Sequence, residues 1–273
     1  MSAKLLDTVD VATEVGSVRV ARNGPPGDPL VFVHGYPDNL QIWSRVFAAL
    51  APEHPVVAFD WPGLGHSEPI IGGATSFHLG RHLIAVLDAL DIERAIPVGF
   101  DMGAHAVVAA AHRAPERFAK LVLTNFLADG TVATSWDISL MRRLGLNRLV
   151  LRYGARIVFE RAQRTFLERG RLPSHIADDL WQGFRRNDVR GHLRRMCAGY
   201  QAALPRVTKL FGEIDIDTMV LWADADPHFP LAQADALAEA LPSAQLRTLE
   251  GASHWFMWDR PDEVAQALLE FTA

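Results

Sequence analysis

Short apolar runs alternate with longer segments of helical periodicity along most of the chain. Leu30–Val33, Val56–Phe59, Ala95–Val98, Leu121–Thr124 and Met219–Trp222 are apolar at nearly every position, which predicts strands buried on both faces of a sheet. Gln245–Leu249 is a sixth, more polar run. Between these runs, apolar residues recur at helical spacing over about 40–50, 76–90, 102–113, 231–241 and 261–271. Such alternation predicts a mostly parallel sheet joined by right-handed crossovers. Residues 8–22, with a turn signal at Glu14-Val15-Gly16-Ser17, predict an antiparallel hairpin on one edge.

The alternation stops between about 128 and 215, where Leu140–Tyr153, Ala155–Arg169 and His192–Ala203 carry amphipathic helical patterns and no strand-like run appears. This arginine-rich stretch is expected to be a helical cap inserted into a core made of 1–127 and 216–273. It is expected over the carboxyl ends of the strands, where open α/β sheets bind ligands.

Composition narrows the partners. The chain has 273 residues, 49% apolar, enough for one α/β core with an insertion. A net charge of −5 gives no basic surplus, so nucleic acid is not expected. No apolar stretch fits a signal peptide or a spanning helix, and Cys197 is the only cysteine. A cytoplasmic protein with no membrane partner is the expectation. Arginine far outnumbers Lys4, Lys120 and Lys209, a composition read as bacterial. His78 and His82 are four residues apart but lack the acid of a zinc motif, so no metal and no cofactor are expected.

Gly99-Phe100-Asp101-Met102-Gly103 lies between a predicted strand and an alanine-rich helix, the setting of a nucleophile elbow. Flanking glycines permit the sharp turn, and the helix N-terminus favours an anion there. Asp101 could also simply cap the helix. As a nucleophile, a carboxylate suits displacement at saturated carbon, because attack on an acyl carbon ends in an anhydride. A base and its orienting acid should follow in chain order. Gly251-Ala252-Ser253-His254 supplies the histidine. Trp222-Ala223-Asp224-Ala225-Asp226-Pro227 supplies the acid, with Asp226 preferred over Asp224 and Asp129. Backbone N–H groups of Tyr36, in His34-Gly35-Tyr36-Pro37, and of Met102 are the expected oxyanion donors.

With these residues the chain resembles the epoxide hydrolase and haloalkane dehalogenase branch of the α/β-hydrolase superfamily, over about 28–127 and 216–272. The resemblance rests on His34-Gly35-Tyr36-Pro37, on Asp60-Trp61-Pro62-Gly63-Leu64-Gly65-His66-Ser67, on the elbow, and on Asp226 and His254. It implies an α/β-hydrolase fold, a mostly parallel eight-stranded sheet with helices on both faces and a helical cap. It also implies opening of an epoxide to a vicinal diol through an alkyl ester on Asp101, hydrolysed by His254-activated water. Cap tyrosines Tyr200 and Tyr153 would assist ring opening, and Trp181 would wall the pocket. Dehalogenation by the same triad is the nearest alternative, weakened by Met102 where haloalkane dehalogenases carry tryptophan. A biosynthetic tailoring hydrolase or lyase is another. The expected partner is a small electrophile, an epoxide or organohalide, with a homodimer as one option.

Overall fold

The computed structural model describes residues 4–70, 73–131, 135–136, 139 and 144–273, without the side chains of 144–147 and 200–201. Eight strands form one sheet: β1 (Val9–Thr13), β2 (Gly16–Asn23), β3 (Leu30–Val33), β4 (Val56–Phe59), β5 (Ile96–Phe100), β6 (Leu121–Thr124), β7 (Thr218–Ala223) and β8 (Ala244–Leu249). Their order is β1-β2-β4-β3-β5-β6-β7-β8. The β1–β2 and β2–β4 pairs are antiparallel, and every other pair is parallel. All residues of β3 to β7 are buried, as their continuous apolar runs require. The edge strand β8 is half exposed, which accommodates its Gln245, Arg247 and Thr248.

The core helices are α1 (Ser44–Leu50), α2 (Ser76–Ala89) and α3 (Met102–Arg113). Between β6 and β7 lie α4 (Leu144–Tyr153), α5 (Ala155–Thr165), α6 (Ser174–Phe184) and α7 (Asn187–Thr208). The core resumes with α8 (Ala232–Ala240), α9 (Phe256–Asp259) and α10 (Pro261–Thr272). Helix α1 packs on α10, and α2 on α3. Helix α7 runs past Ala203 and through Pro205. The proline costs a backbone donor, but buried Leu204 and Val207 keep that last turn docked.

The helical segment between β6 and β7 is fastened to the core in two ways. Its α7 packs on α2 and α3. Asp179 on α6 accepts both nitrogens of the Arg19 fork at 3.0 Å and Asn39 Nδ2 at 2.7 Å. Arg186, just before α7, donates to the carbonyls of Gly65 and Ser67 at 3.1 and 3.0 Å. No helix among the described residues is long and apolar enough to cross a membrane.

Candidate active site

The loops that follow four strands, β3, β5, β7 and β8, converge at one buried point. After β3, the His34 ring ties the loop down: its Nδ1 donates to Gly35 O at 2.9 Å, and its Nε2 accepts from Trp61 N–H at 3.1 Å. Both contacts fix the neutral tautomer, and burial lowers its pKa further. Trp61 Nε1 returns a bond to His34 O at 2.9 Å, so the ends of β3 and β4 are locked together. This leaves the Tyr36 N–H free of the sheet and aimed at Asp101 Oδ2, 3.0 Å away.

Asp101 follows β5 with φ +50° and ψ −127°, a conformation costly for a residue with a Cβ. Tight packing imposes it. A Cβ on Gly99 would meet Ala104 Cα at 2.7 Å, and one on Gly103 would meet His34 O at 3.0 Å. Asp101 precedes α3 but makes no side-chain capping bond to it, so helix capping does not account for the carboxylate. Its side chain instead lines the pocket. Burial pushes its pKa up to about 6, against the pull of His254 and of the Tyr36 N–H.

His254 Nδ1 lies 2.6 Å from Asp226 Oδ2, which leaves Nε2 as the nitrogen available to the pocket. Asp226 is itself held by His228 N–H at 2.7 Å, Phe229 N–H at 3.2 Å and Asn125 Nδ2 at 2.8 Å. Burial opposes its charge, yet His254 and these donors keep its pKa below the usual carboxylate value. Burial likewise opposes a proton on His254, and Asp226 with the further carboxylates Asp101 and Asp38 outweighs it, raising its pKa. Phe166 and Phe100 ring centroids stand 4.6 and 4.7 Å from the imidazole, which excludes water from its flanks. The other two acids considered from the sequence are engaged elsewhere: Asp224 accepts from Gly251 N–H at 2.7 Å, and Asp129 from Thr131 at 2.8 Å.

The pocket above Asp101 and His254 is lined by Tyr36, Leu79, Met102, Phe166, Leu193 and Phe229, among others. The backbone N–H of Met102 stands at the start of α3, where the first amides have no helical partner. Two expected contributors are elsewhere. Tyr153 ends α4 with 75% exposure and is absent from the pocket lining. It faces solvent because Leu151 and Ala155 are the buried residues of that turn. Trp181 is also outside the lining; it packs against Phe159 at 5.5 Å and lies under the Arg156 guanidinium, so it is a packing residue of the helical segment between β6 and β7. The Tyr200 side chain lies outside the described residues. His78 Nδ1 is 2.6 Å from Thr75 Oγ1, and no metal-holding group of three or more ligands occurs among the described residues.

Sequence reasoning missed Asn125 and Asp38. Asn125, at the end of β6 with φ +35°, bridges Ala223 and Asp226. Its signal was a lone amide at a strand end beside the elbow strand. Asp38 follows the His34-Gly35-Tyr36-Pro37 loop, is 6% exposed, and accepts from Trp255 Nε1 at 3.3 Å, its Oδ2 having no hydrogen-bond partner. Burial, then the nearby Asp101 charge, pushes its pKa up to about 7.

Comparison with known proteins corrects the expected reaction. A relative from Cupriavidus pinatubonensis (strain JMP 134 / LMG 1197), 29% identical across 91% of this chain and 88% of its own length, is a 2-hydroxy-6-oxononadienedioate/2-hydroxy-6-oxononatrienedioate hydrolase. A protein of the same name from Escherichia coli (strain K12) is 25% identical over 92% of this chain and 88% of its own. Neither name is that of an epoxide hydrolase, and neither favours dehalogenation or the tailoring alternative. Ring opening assisted by Tyr153 therefore fails on two grounds, the relatives and the position of that tyrosine. Among solved structures, a thermophilic esterase from Thermogutta terrifontis superposes with a TM-score of 0.79 at 24% identity, covering 97% of this chain and 98% of its own. At that identity the likeness concerns the fold. The alpha/beta hydrolase fold family matches residues 28–261, and the chain belongs to it.

Proposed function

We propose that the protein is a hydrolase that adds water to a ketone and breaks the carbon–carbon bond beside it. The relatives' substrate name supports this reaction type: an oxo-dienedioate carries a ketone but no ester or amide, so hydrolysis must cleave carbon from carbon. The observation that carries the reading is the pairing of two proton-handling groups, Asp101 and the Asp226-held His254, at the floor of one apolar pocket.

The roles follow from bond bookkeeping. His254 Nε2 takes a proton from water as the water oxygen bonds to the ketone carbon. The ketone oxygen becomes an oxyanion for the Tyr36 and Met102 N–H groups. The carbon–carbon bond then breaks, its electron pair going to the carbon that leaves as an enolate. Asp101, with its raised proton affinity, enters this step as the acid, gives that carbon a proton and regains one from His254. Once protonated, Asp101 is a weaker acceptor, which frees the Tyr36 N–H for the oxyanion. Direct attack by Asp101 on the ketone would instead end in a mixed anhydride, so the expected alkyl-ester role gives way to proton transfer.

The test is hydrolysis of 2-hydroxy-6-oxononadienedioate and of simple diketones in ¹⁸O-labelled water. The expected result is a carboxylic acid carrying one labelled oxygen, an unlabelled Asp101 after single turnover, and loss of activity in His254→Gln. Label in Asp101, or no cleavage of any ketone, sinks the proposal.

A further inference from the structure

The relatives are named for dicarboxylates, yet the described lining of this pocket offers an anion hydroxyl groups and His254 but no permanent cation. Among the described residues, its lining contains no lysine or arginine. Leu79, Met102, Phe166, Leu193, Met196 and Phe229 give it an apolar wall. Asp38 lines an adjoining cleft that shares Tyr36 and Leu193 with the pocket, and its buried Oδ2 has no partner. Thus Asp101 stands in the lining, Asp38 lies close enough to it for their charges to interact, and Asp226 stands behind His254. The start of α3, which would favour an anion, is where the ketone oxygen sits in the proposed reaction, at the Met102 N–H. A substrate carboxylate would lose its hydration here, find no lysine or arginine among the described residues, and crowd two carboxyl groups that burial already holds against ionisation.

We infer that the pocket selects an uncharged, apolar ketone rather than a dicarboxylate, its apolar lining and the neighbouring Asp38 carboxyl both disfavouring a further anion. This rests on the carbon–carbon hydrolase reading.

Benzoylacetone and benzoylpyruvate test it, because they differ only in a methyl against a carboxylate beside the same diketone. Water converts benzoylacetone to acetophenone and acetate, or to benzoate and acetone; benzoylpyruvate reacts by the same bond change. The expected kcat/KM for benzoylacetone exceeds that for benzoylpyruvate, and for 2-hydroxy-6-oxononadienedioate, by at least about 100-fold. Asp38→Asn, which removes one carboxyl and keeps its shape, should narrow the gap by about tenfold. Both compounds are also titrated calorimetrically into His254→Gln, which reads charge preference without bond cleavage. Equal or better use or binding of either acid overturns the inference and leaves the hydrolase proposal standing. If none of the three ketones is cleaved but only benzoylacetone binds, the hydrolase proposal falls and the pocket's preference for a neutral ligand holds.

Discussion

Asp226 Oδ2 approaches His254 Nδ1 to 2.6 Å while also accepting Asn125 Nδ2 at 2.8 Å, so one oxygen both orients the base and is oriented itself. Replacing Asp226 by Asn should remove the charge that favours the reacting tautomer without emptying the site. A loss of about 1,000-fold or more in kcat is expected with the fold intact. Steady-state kinetics beside circular dichroism would show it; a loss under about tenfold would mean that Asp226 does not set the state of His254.

The base is active only when neutral, and its pKa is raised above the ordinary histidine value of 6.5. Asp101, with a pKa of about 6, must be protonated while His254 is neutral, so the kcat/KM profile should be a bell whose rising limb lies near pH 6 and whose falling limb lies above pH 6.5. Asp226→Asn should move the falling limb downward, because the carboxylate that favours the proton is gone.

Asp38 has the opposite consequence for stability. Its folded pKa is lifted from 3.8 to about 7, so the native state binds the extra proton. Its contribution is most favourable below pH 4 and is lost as pH climbs toward 7. Asp38→Asn should stabilise the protein by about 2–4 kcal/mol at pH 8 and very little at pH 4, as measured by urea unfolding at both values.

Gly35 is a steric test of the elbow. A Cβ there would fall 2.6 Å from Asp101 Cβ and 2.7 Å from its Oδ2. Gly35→Ala should displace the carboxylate and cut kcat by about tenfold to 100-fold, with a much smaller effect on KM. Unchanged kinetics would mean that the position of Asp101 does not matter to the reaction.

The Arg19–Asp179 pair joins the first core hairpin to the cap. Burial opposes the charge on Asp179, but His66 and Arg19 hold its pKa well below the usual carboxylate value, so its contribution is present above pH 4 and lost on acidification. Asp179→Ala leaves the half-buried guanidinium with Asp60 at 3.6 Å as its remaining carboxylate and should cost about 1–3 kcal/mol at pH 7. Scanning calorimetry at pH 7 and pH 3 should show the difference shrinking at the lower value.

The core strands were legible because complete burial writes itself as runs such as Leu30–Val33, and the elbow because Gly99 and Gly103 mark its two tight approaches. Asp226 could be chosen over Asp224 by its place before Pro227, and the structure brings it to His254. The cap resisted reading. Tyr153 and Trp181 are amphipathic-helix residues whose direction depends on which turn of α4 or α6 docks, and periodicity alone does not say what covers the buried side. The reaction was misread for a related reason: a carboxylate at the elbow constrains charge and proton affinity, and several reactions use both. Asp38 was missed because its importance comes from what it lacks, a partner for a buried oxygen, and no linear pattern records that.

Strands β6 and β7 lie side by side in the sheet, Leu121 opposite Thr218, although the whole helical insertion separates them in sequence. The chain therefore leaves the core and re-enters it through adjacent doors. Asp101 precedes this excursion, while Asp226 and His254 follow it. Part of the pocket wall and the candidate reacting groups are thereby housed in parts that can change at different rates: the excursion can be rebuilt to admit another ligand while the strand ends that hold Asp101, Asp226 and His254 stay where they are.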